Sequence, residues 1–219
     1  MTIPALIVID MQNDFVAAGA PIECPAARKI VEPIRRLADL AHVSGVPVIF
    51  TKEQHRARMV DFGLELAYEE PVHCLEGSSG VEFYRPLVPA ASDFIVAKRR
   101  YSAFFATDLD ILLRGLRVDT LILTGVATDV CVRATAQDAM QNDYRVFVAP
   151  DCVAGTTEAR HKAALDNIAY VFGKVVDLVA LQTLIRDADP NPALHQLEFS
   201  QPAPGVSAAR EGPRSYHGV

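Results

Sequence analysis

The sequence predicts an α/β fold: a doubly wound, mostly parallel sheet of about six strands with helices on both faces. Two observations carry this. Short, nearly continuous apolar runs rich in Val, Ile and Leu recur along the chain, as parallel strands buried on both faces require. Longer amphipathic stretches separate them, and strand followed by helix, repeated, builds right-handed crossovers. The strands are read at 5–10 (ALIVID), 46–51 (VPVIFT), 93–98 (DFIVAK), 119–125 (DTLILTG), 144–150 (YRVFVAP) and 174–178 (KVVDL). Helices fit at 25–44, 107–115, 129–142, 157–171 and 178–187.

Two segments break this rhythm. Residues 52–92 are charged and irregular, and a connection of that length usually carries function or a lid. From Asp189 the composition changes, and the last stretch holds five of the fourteen prolines with no sustained period. The expected division is a domain over 1–188 and a proline-rich tail over 189–219. Such a tail is expected to be extended, disordered, or laid across a neighbouring subunit.

A chain of 219 residues is long enough to bury one substantial core. Its net charge of −6 argues against nucleic acid or an anionic membrane as partner. No stretch approaches the ~18 consecutive apolar residues of a membrane span. The start, MTIPALIVID, lacks a positive leader region and meets an aspartate early, so a cytoplasmic address is expected. Cys24, Cys74, Cys131 and Cys152 are scattered without a CxxC pair, which indicates neither a disulfide framework nor a zinc knuckle.

In open α/β sheets ligands bind outside the carboxyl ends of the strands. Asp10 closes the first strand in LIVIDMQNDF, Lys98 the third in FIVAKRRYSAFF, and Cys131 lies just past the fourth in LILTGVATDVCV. Taken singly, these are a turn former, a solvated charge and a small buried hydrophobe. Placed together they make chemical sense. A thiol needs help to become a thiolate. If Thr128 caps the following helix, Cys131 lies in its first turn, where the dipole favours an anion. Lys98 would add to that, and Asp10 would take the thiol proton and return it to a leaving amine. The tight GVAT approach would aim backbone N–H groups at an oxyanion.

Three segments, ALIVIDMQNDF, AKRRYSAFFATDLD and LILTGVATDVCVRATAQDA, with a weaker fourth, DCVAGTTEARHKAALDNI, closely resemble the isochorismatase-like cysteine hydrolase family. That family includes nicotinamidases, N-carbamoylsarcosine amidases, biuret hydrolases and ureidoacrylate amidohydrolases. The resemblance implies that Asp10, Lys98 and Cys131 are the catalytic triad. It also implies a cis Val126–Ala127 bond and an oxyanion hole made by the backbone N–H groups of Ala127 and Cys131. Phe15 matches an aromatic beside the substrate, and Glu53, His55 and Phe105 are further candidates for the pocket. True isochorismatases cleave a vinyl ether without needing the cysteine, so the thiol points to amide chemistry.

Nicotinamidases bind a metal through an Asp-x-His pair and a later histidine. Here Glu53-x-His55 and His73 stand at those places, and glutamate departs from the pattern. The expectation is no cofactor, with Glu53, His55 and His73 as the set that would hold a divalent metal. The resemblance further implies a homodimer or homotetramer acting on a small amide or ureido substrate through a thioester, with release of ammonia. Two alternatives stand beside it: a nicotinamidase with a variant metal site, and a hydrolase-fold interaction module without turnover. A Rossmann nucleotide site is disfavoured because MQNDF offers no glycine after the first strand.

Overall fold

The computed structural model describes residues 2–195. Six strands form one sheet in the order β3-β2-β1-β4-β5-β6, with every neighbouring pair parallel. They are β1 (Pro4–Ile9), β2 (Val48–Glu53), β3 (Phe94–Lys98), β4 (Thr120–Val126), β5 (Arg145–Ala154) and β6 (Lys174–Val175). The helices are α1 (Asn13–Val16), α2 (Ala27–Val43), α3 (Leu109–Gly115), α4 (Arg133–Gln141), α5 (Glu158–Asn167), α6 (Leu178–Arg186) and α7 (Pro192–His195). No helix among the described residues is long and apolar enough to cross a membrane.

Successive side chains of a strand point to opposite faces, so a strand covered on both faces must be apolar throughout. β1 is fully buried: Leu6 and Val8 pack with α2 and α6, whereas Ala5, Ile7 and Ile9 pack with α3 and α4. α2 presents Ile30, Ile34, Leu37 and Ala41 to the first of these layers at helical spacing. Two helix starts carry side-chain caps. Thr157 Oγ1 accepts from Arg160 N, and Asp177 Oδ1 accepts from Ala180 N.

Several boundaries differ from the sequence reading, each for a local reason. A register shift against β4 between Leu123 and Gly125 lets β5 continue to Ala154. The last strand keeps only its first two residues. The helix expected from 129 opens with a π-helical turn over Thr128–Val132, in which Val132 N reaches back five residues to Ala127 O. A second π-helical turn, Ile168–Phe172, follows α5. Residues 189–195 pack on the fold: Asn191 is buried, its side chain donates to Leu116 O, and its N–H donates to Gly45 O. The remainder of the expected tail, 196–219, lies outside the described residues.

Gly125 shows what the sheet demands beneath the site. Its φ is +99°, and a Cβ there would lie 2.0 Å from Ile9 O on the neighbouring strand. Only glycine satisfies both constraints. Gly115, at the end of α3, meets nothing within 4 Å and has no such φ. Urea unfolding is therefore expected to split the two substitutions. Gly125→Ala should cost more than about 2 kcal/mol. Gly115→Ala should stabilise by about 0.4–1 kcal/mol by restricting the unfolded chain.

Candidate active site

The carboxyl ends of β1, β2 and β3 and the π-helical turn after β4 converge on one buried cluster. Asp10 follows β1 with φ 50°, a conformation that aspartate tolerates better than most residues. Thr51 on β2 fixes it twice: Asp10 N donates to Thr51 Oγ1 at 3.1 Å, and Thr51 Oγ1 donates to Asp10 Oδ1 at 2.7 Å. Lys98 ends β3, and its Nζ lies 2.8 Å from Asp10 Oδ2 and 2.8 Å from Glu53 Oε2. It also donates to Arg100 O at 3.0 Å and to Cys131 Sγ at 3.6 Å. Asp10, Glu53, Lys98 and Cys131 are all buried.

The sequence reading did not single out Gln12 or Thr51, yet both build the site. Gln12 Oε1 accepts from Glu53 N, while its Nε2 donates to Glu53 O and Val81 O, each at 2.8 Å. One buried amide thus ties the end of β2 to the long connection between β2 and β3. Asp14 adds a second tie by accepting from Cys74 N at 2.7 Å. Farther out, Asp61 accepts from Arg56 and from Arg99 Nε, which fastens the same connection to the residue after Lys98.

Electrostatics rank the ionisable groups. Burial alone would lower Lys98, but the charges of Asp10, Cys131 and Glu53 hold its pKa well above the ordinary value. Glu53 is pushed up by burial, yet Lys98 and hydrogen bonds from His55 and His73 leave it well below the usual carboxylate range. Asp10 is raised, because burial outweighs Lys98 and the neighbouring Glu53 charge adds to it. Two carboxylates share one ammonium, and Asp10 is the one that holds a proton more readily.

Burial, Asp10 and Glu53 push the Cys131 thiol up against the pull of Lys98. Thr128 does not cap the helix. Ala127 stands at that position without a side-chain cap, and Thr128 Oγ1 lies 2.9 Å from His161 Nδ1 instead. The Val126–Ala127 peptide is cis.

A cavity of about 50 Å³ opens onto the thiol, bordered by Phe15, Glu53, His73, Tyr101, Ala127 and Cys131. Phe15 packs edge-on to His73, with ring centroids 6.1 Å apart. Phe105 does not border the cavity: it is 59% exposed on the connection after β3. His55 does not border it either. It is buried behind Glu53 and stacked on Phe62 at 3.8 Å. A larger cleft of about 440 Å³ between α2 and the end of β5 holds no comparable cluster of reactive groups.

Behind the cavity, Glu53, His55, Glu65 and His73 each present a ligand atom, all within 4.8 Å of one another. Glu53 Oε1 lies 3.3 Å from His55 Nε2 and 3.2 Å from His73 Nε2. Glu65, absent from the expected set, brings Oε2 to 3.7 Å from His55 Nε2. His55 Nδ1 and Glu65 Oε2 are buried without a hydrogen-bond partner among the described residues. His73 Nδ1 bonds Pro71 O, which turns its Nε2 inward. Burial raises Glu65 to about 7, with the Glu53 charge adding. Burial would lower His73, but Glu53 lifts it to about 9. Two imidazoles and two carboxylates, with the buried Glu65 Oε2 unsatisfied among the described residues, fit a divalent transition metal.

The sequence matches the isochorismatase domain over residues 4–179. The chain belongs to the isochorismatase family. It is similar to the maleamate amidohydrolase of Pseudomonas putida, 34% identical over 175 residues that span 79% of this chain and 82% of the relative. N-carbamoylsarcosine amidase of an Arthrobacter species is 29% identical over 213 residues, spanning 94% of this chain and 80% of the relative. Among solved structures, the pyrazinamidase of Pyrococcus horikoshii in complex with zinc superposes with a TM-score of 0.73 at 31% identity, covering 80% of this chain and 99% of that one. Amide C–N hydrolysis runs through these isochorismatase relatives, and this chain is a hydrolase of that class.

The donor set generates a test on metal-stripped protein. Added zinc or manganese is expected to raise the melting temperature, because a ligand at about a hundred times its Kd stabilises the native state by about 2.7 kcal/mol. Glu65→Gln should abolish most of that shift. An unshifted melting temperature in the unmodified protein would remove the metal from the site.

Proposed function

We propose that the chain hydrolyses the C–N bond of a small carboxamide or ureido compound through a thioester on Cys131, releasing ammonia. The observation that carries this reading is the meeting of Asp10, Lys98 and Cys131 in one buried cluster, with Cys131 at the edge of the cavity. In the first step Asp10 takes the Cys131 proton as Sγ bonds the carbonyl carbon. Backbone N–H groups of Ala127 and Cys131 stabilise the oxyanion. Asp10 then gives that proton to the leaving nitrogen, the C–N bond breaks, and ammonia departs from the thioester. A water molecule attacks next. It yields a proton to Asp10, the C–S bond breaks, and the proton returns to Sγ as the acid product leaves.

This sequence uses the resting thiol as it stands. No standing thiolate is required, because a raised Asp10 is poised to accept the proton at the moment of attack. Lys98 compensates whichever neighbour is anionic, first Asp10 and then Sγ. Phe15 and Ala127 border the space beside Sγ and limit the substrate to a small, flat amide.

A second reading, a nicotinamidase-type enzyme with glutamate in place of aspartate, is favoured by the four-residue donor set. Glu53, His55, Glu65 and His73 would hold the divalent ion. Such an ion supplies Lewis-acid polarisation beside the nucleophile.

The roles are tested by ammonia release from a panel of primary amides and ureido acids, with iodoacetamide labelling run in parallel across pH. Cys131→Ala should abolish turnover, and retained turnover would falsify the nucleophile. Labelling of the unmodified thiol should climb from neutral to alkaline pH without a plateau near 7, since its pKa is raised. Asp10→Asn removes a charge that raises the thiol, so labelling at neutral pH should increase while turnover falls by about 10²-fold or more. Lys98→Met should shift the labelling curve to higher pH. If Asp10→Asn kept full turnover, the proton carrier would have to be sought elsewhere.

A further inference from the structure

Cys131 rides on the π-helical turn Thr128–Val132, and Ala127, just before that turn, carries one of the two backbone N–H groups assigned to the oxyanion. Two side chains at the start of the turn are gripped from outside the reactive cluster. Thr128 Oγ1 lies 2.9 Å from Nδ1 of His161, in the first turn of α5, and the pair makes one hydrogen bond in either tautomer of the ring. Asp129 accepts from Thr156 N at 2.8 Å with one oxygen and from Thr156 Oγ1 with the other. Gly155 lets the two grips close. A Cβ there would lie 2.7 Å from Asp129 Oδ1 and 2.8 Å from His161 Cβ.

The described residues bordering the catalytic cavity include neither Thr128 nor His161. Thr128 is buried, and the imidazole borders the cleft of about 440 Å³ between α2 and the end of β5. His161 therefore touches neither substrate nor reacting atoms, and it acts through the backbone it holds. That backbone is demanding. An oxyanion donor has to meet an oxygen that exists only in passing, and a misplacement of about 1 Å costs on the order of 10²-fold in rate. We infer that His161 is a positioning residue: by holding Thr128 it fixes the Ala127–Thr128 backbone, and with it the Ala127 N–H, where the oxyanion forms. This rests on the amidohydrolase reading and adds a residue to it. Asp129 keeps its own hold on Thr156, so losing the imidazole should shift the turn without unravelling it.

The test compares His161→Leu, which fills the space but cannot bond Thr128, with His161→Asn, whose amide puts a polar atom where Nδ1 stood. Three readouts are taken at one pH: ammonia release, iodoacetamide labelling of Cys131, and protection of Cys131 from that label by propanal. Propanal adds reversibly. The Sγ–C bond forms, the C=O electron pair moves onto oxygen, and the thiol proton passes to Asp10, leaving an oxyanion for the two N–H groups. Labelling displaces iodide from a saturated carbon and builds no oxyanion. For His161→Leu, kcat is expected to fall by about 10- to 100-fold with KM within about threefold. Propanal protection should weaken by about fivefold or more. Labelling should change by less than about twofold, because Asp10, Glu53 and Lys98 are untouched. His161→Asn should recover most of both losses. Thr128→Val removes the bond from its other end, so it should match His161→Leu, and the double variant should be no worse than either alone. It also supplies the reading if the Leu side chain unfolds the protein.

His161 loses this role if the apolar variants keep both kcat and propanal protection, if labelling falls in step with turnover, or if Asn restores nothing. Failure of the amidohydrolase reading shows separately, as no ammonia from the panel with the unmodified protein. The labelling and propanal arms then still decide the role of His161.

Discussion

Burying an ammonium without partners costs several kcal/mol, and the site exists because Asp10 and Glu53 meet that cost at Lys98. Each carboxylate comes from a different strand, so the ion triad draws the ends of β1, β2 and β3 to one point. Removing Lys98 leaves two buried carboxylates without their cation, a loss of about 3–5 kcal/mol in comparable settings. The geometry available to the thiol follows from this triad. Sγ lies 3.6 Å from Nζ and 4.0 Å from Glu53 Oε2, the oxygen that also holds Nζ.

Glu53 links two chemistries. Its Oε2 faces Lys98, while its Oε1 faces His55 and His73. The side chain joins the nucleophile's cluster to the donor set behind it. Gln12 holds the backbone on both sides of this residue. The Glu53 charge lifts His73 against burial and adds to the burial that raises Glu65.

Much of this was legible in the sequence, for stated physical reasons. Strands buried on both faces betray themselves as unbroken apolar runs, and a polar residue closing such a run, like Asp10 or Lys98, marks the edge where chemistry collects. What escaped depends on the path of the chain between β2 and β3. Glu65 sits in an acidic stretch with no periodic signal, and only the fold of that connection brings it to His55. Phe105 looked like a wall of the pocket because it lies near Lys98 in sequence, but the turn after β3 faces it outward. Thr51 hides inside an apolar strand, where its hydroxyl reads as a β-former. Helix position and Lys98 beside Cys131 were visible in the sequence, whereas the depth of burial and the nearness of Glu53 were not.

Glu53 and Lys98 are also direct partners in the β2–β3 ladder, the last pair in its register. β3 is an edge strand, held by hydrogen bonds along one side only. A slip of one residue would bring Ala97 or Arg99 opposite Glu53 and turn the ammonium to the other face of the sheet. The charge pair beside the thiol thus works as a key for strand alignment. An edge strand that other proteins must protect by shape is here locked in place by the two side chains the chemistry needs.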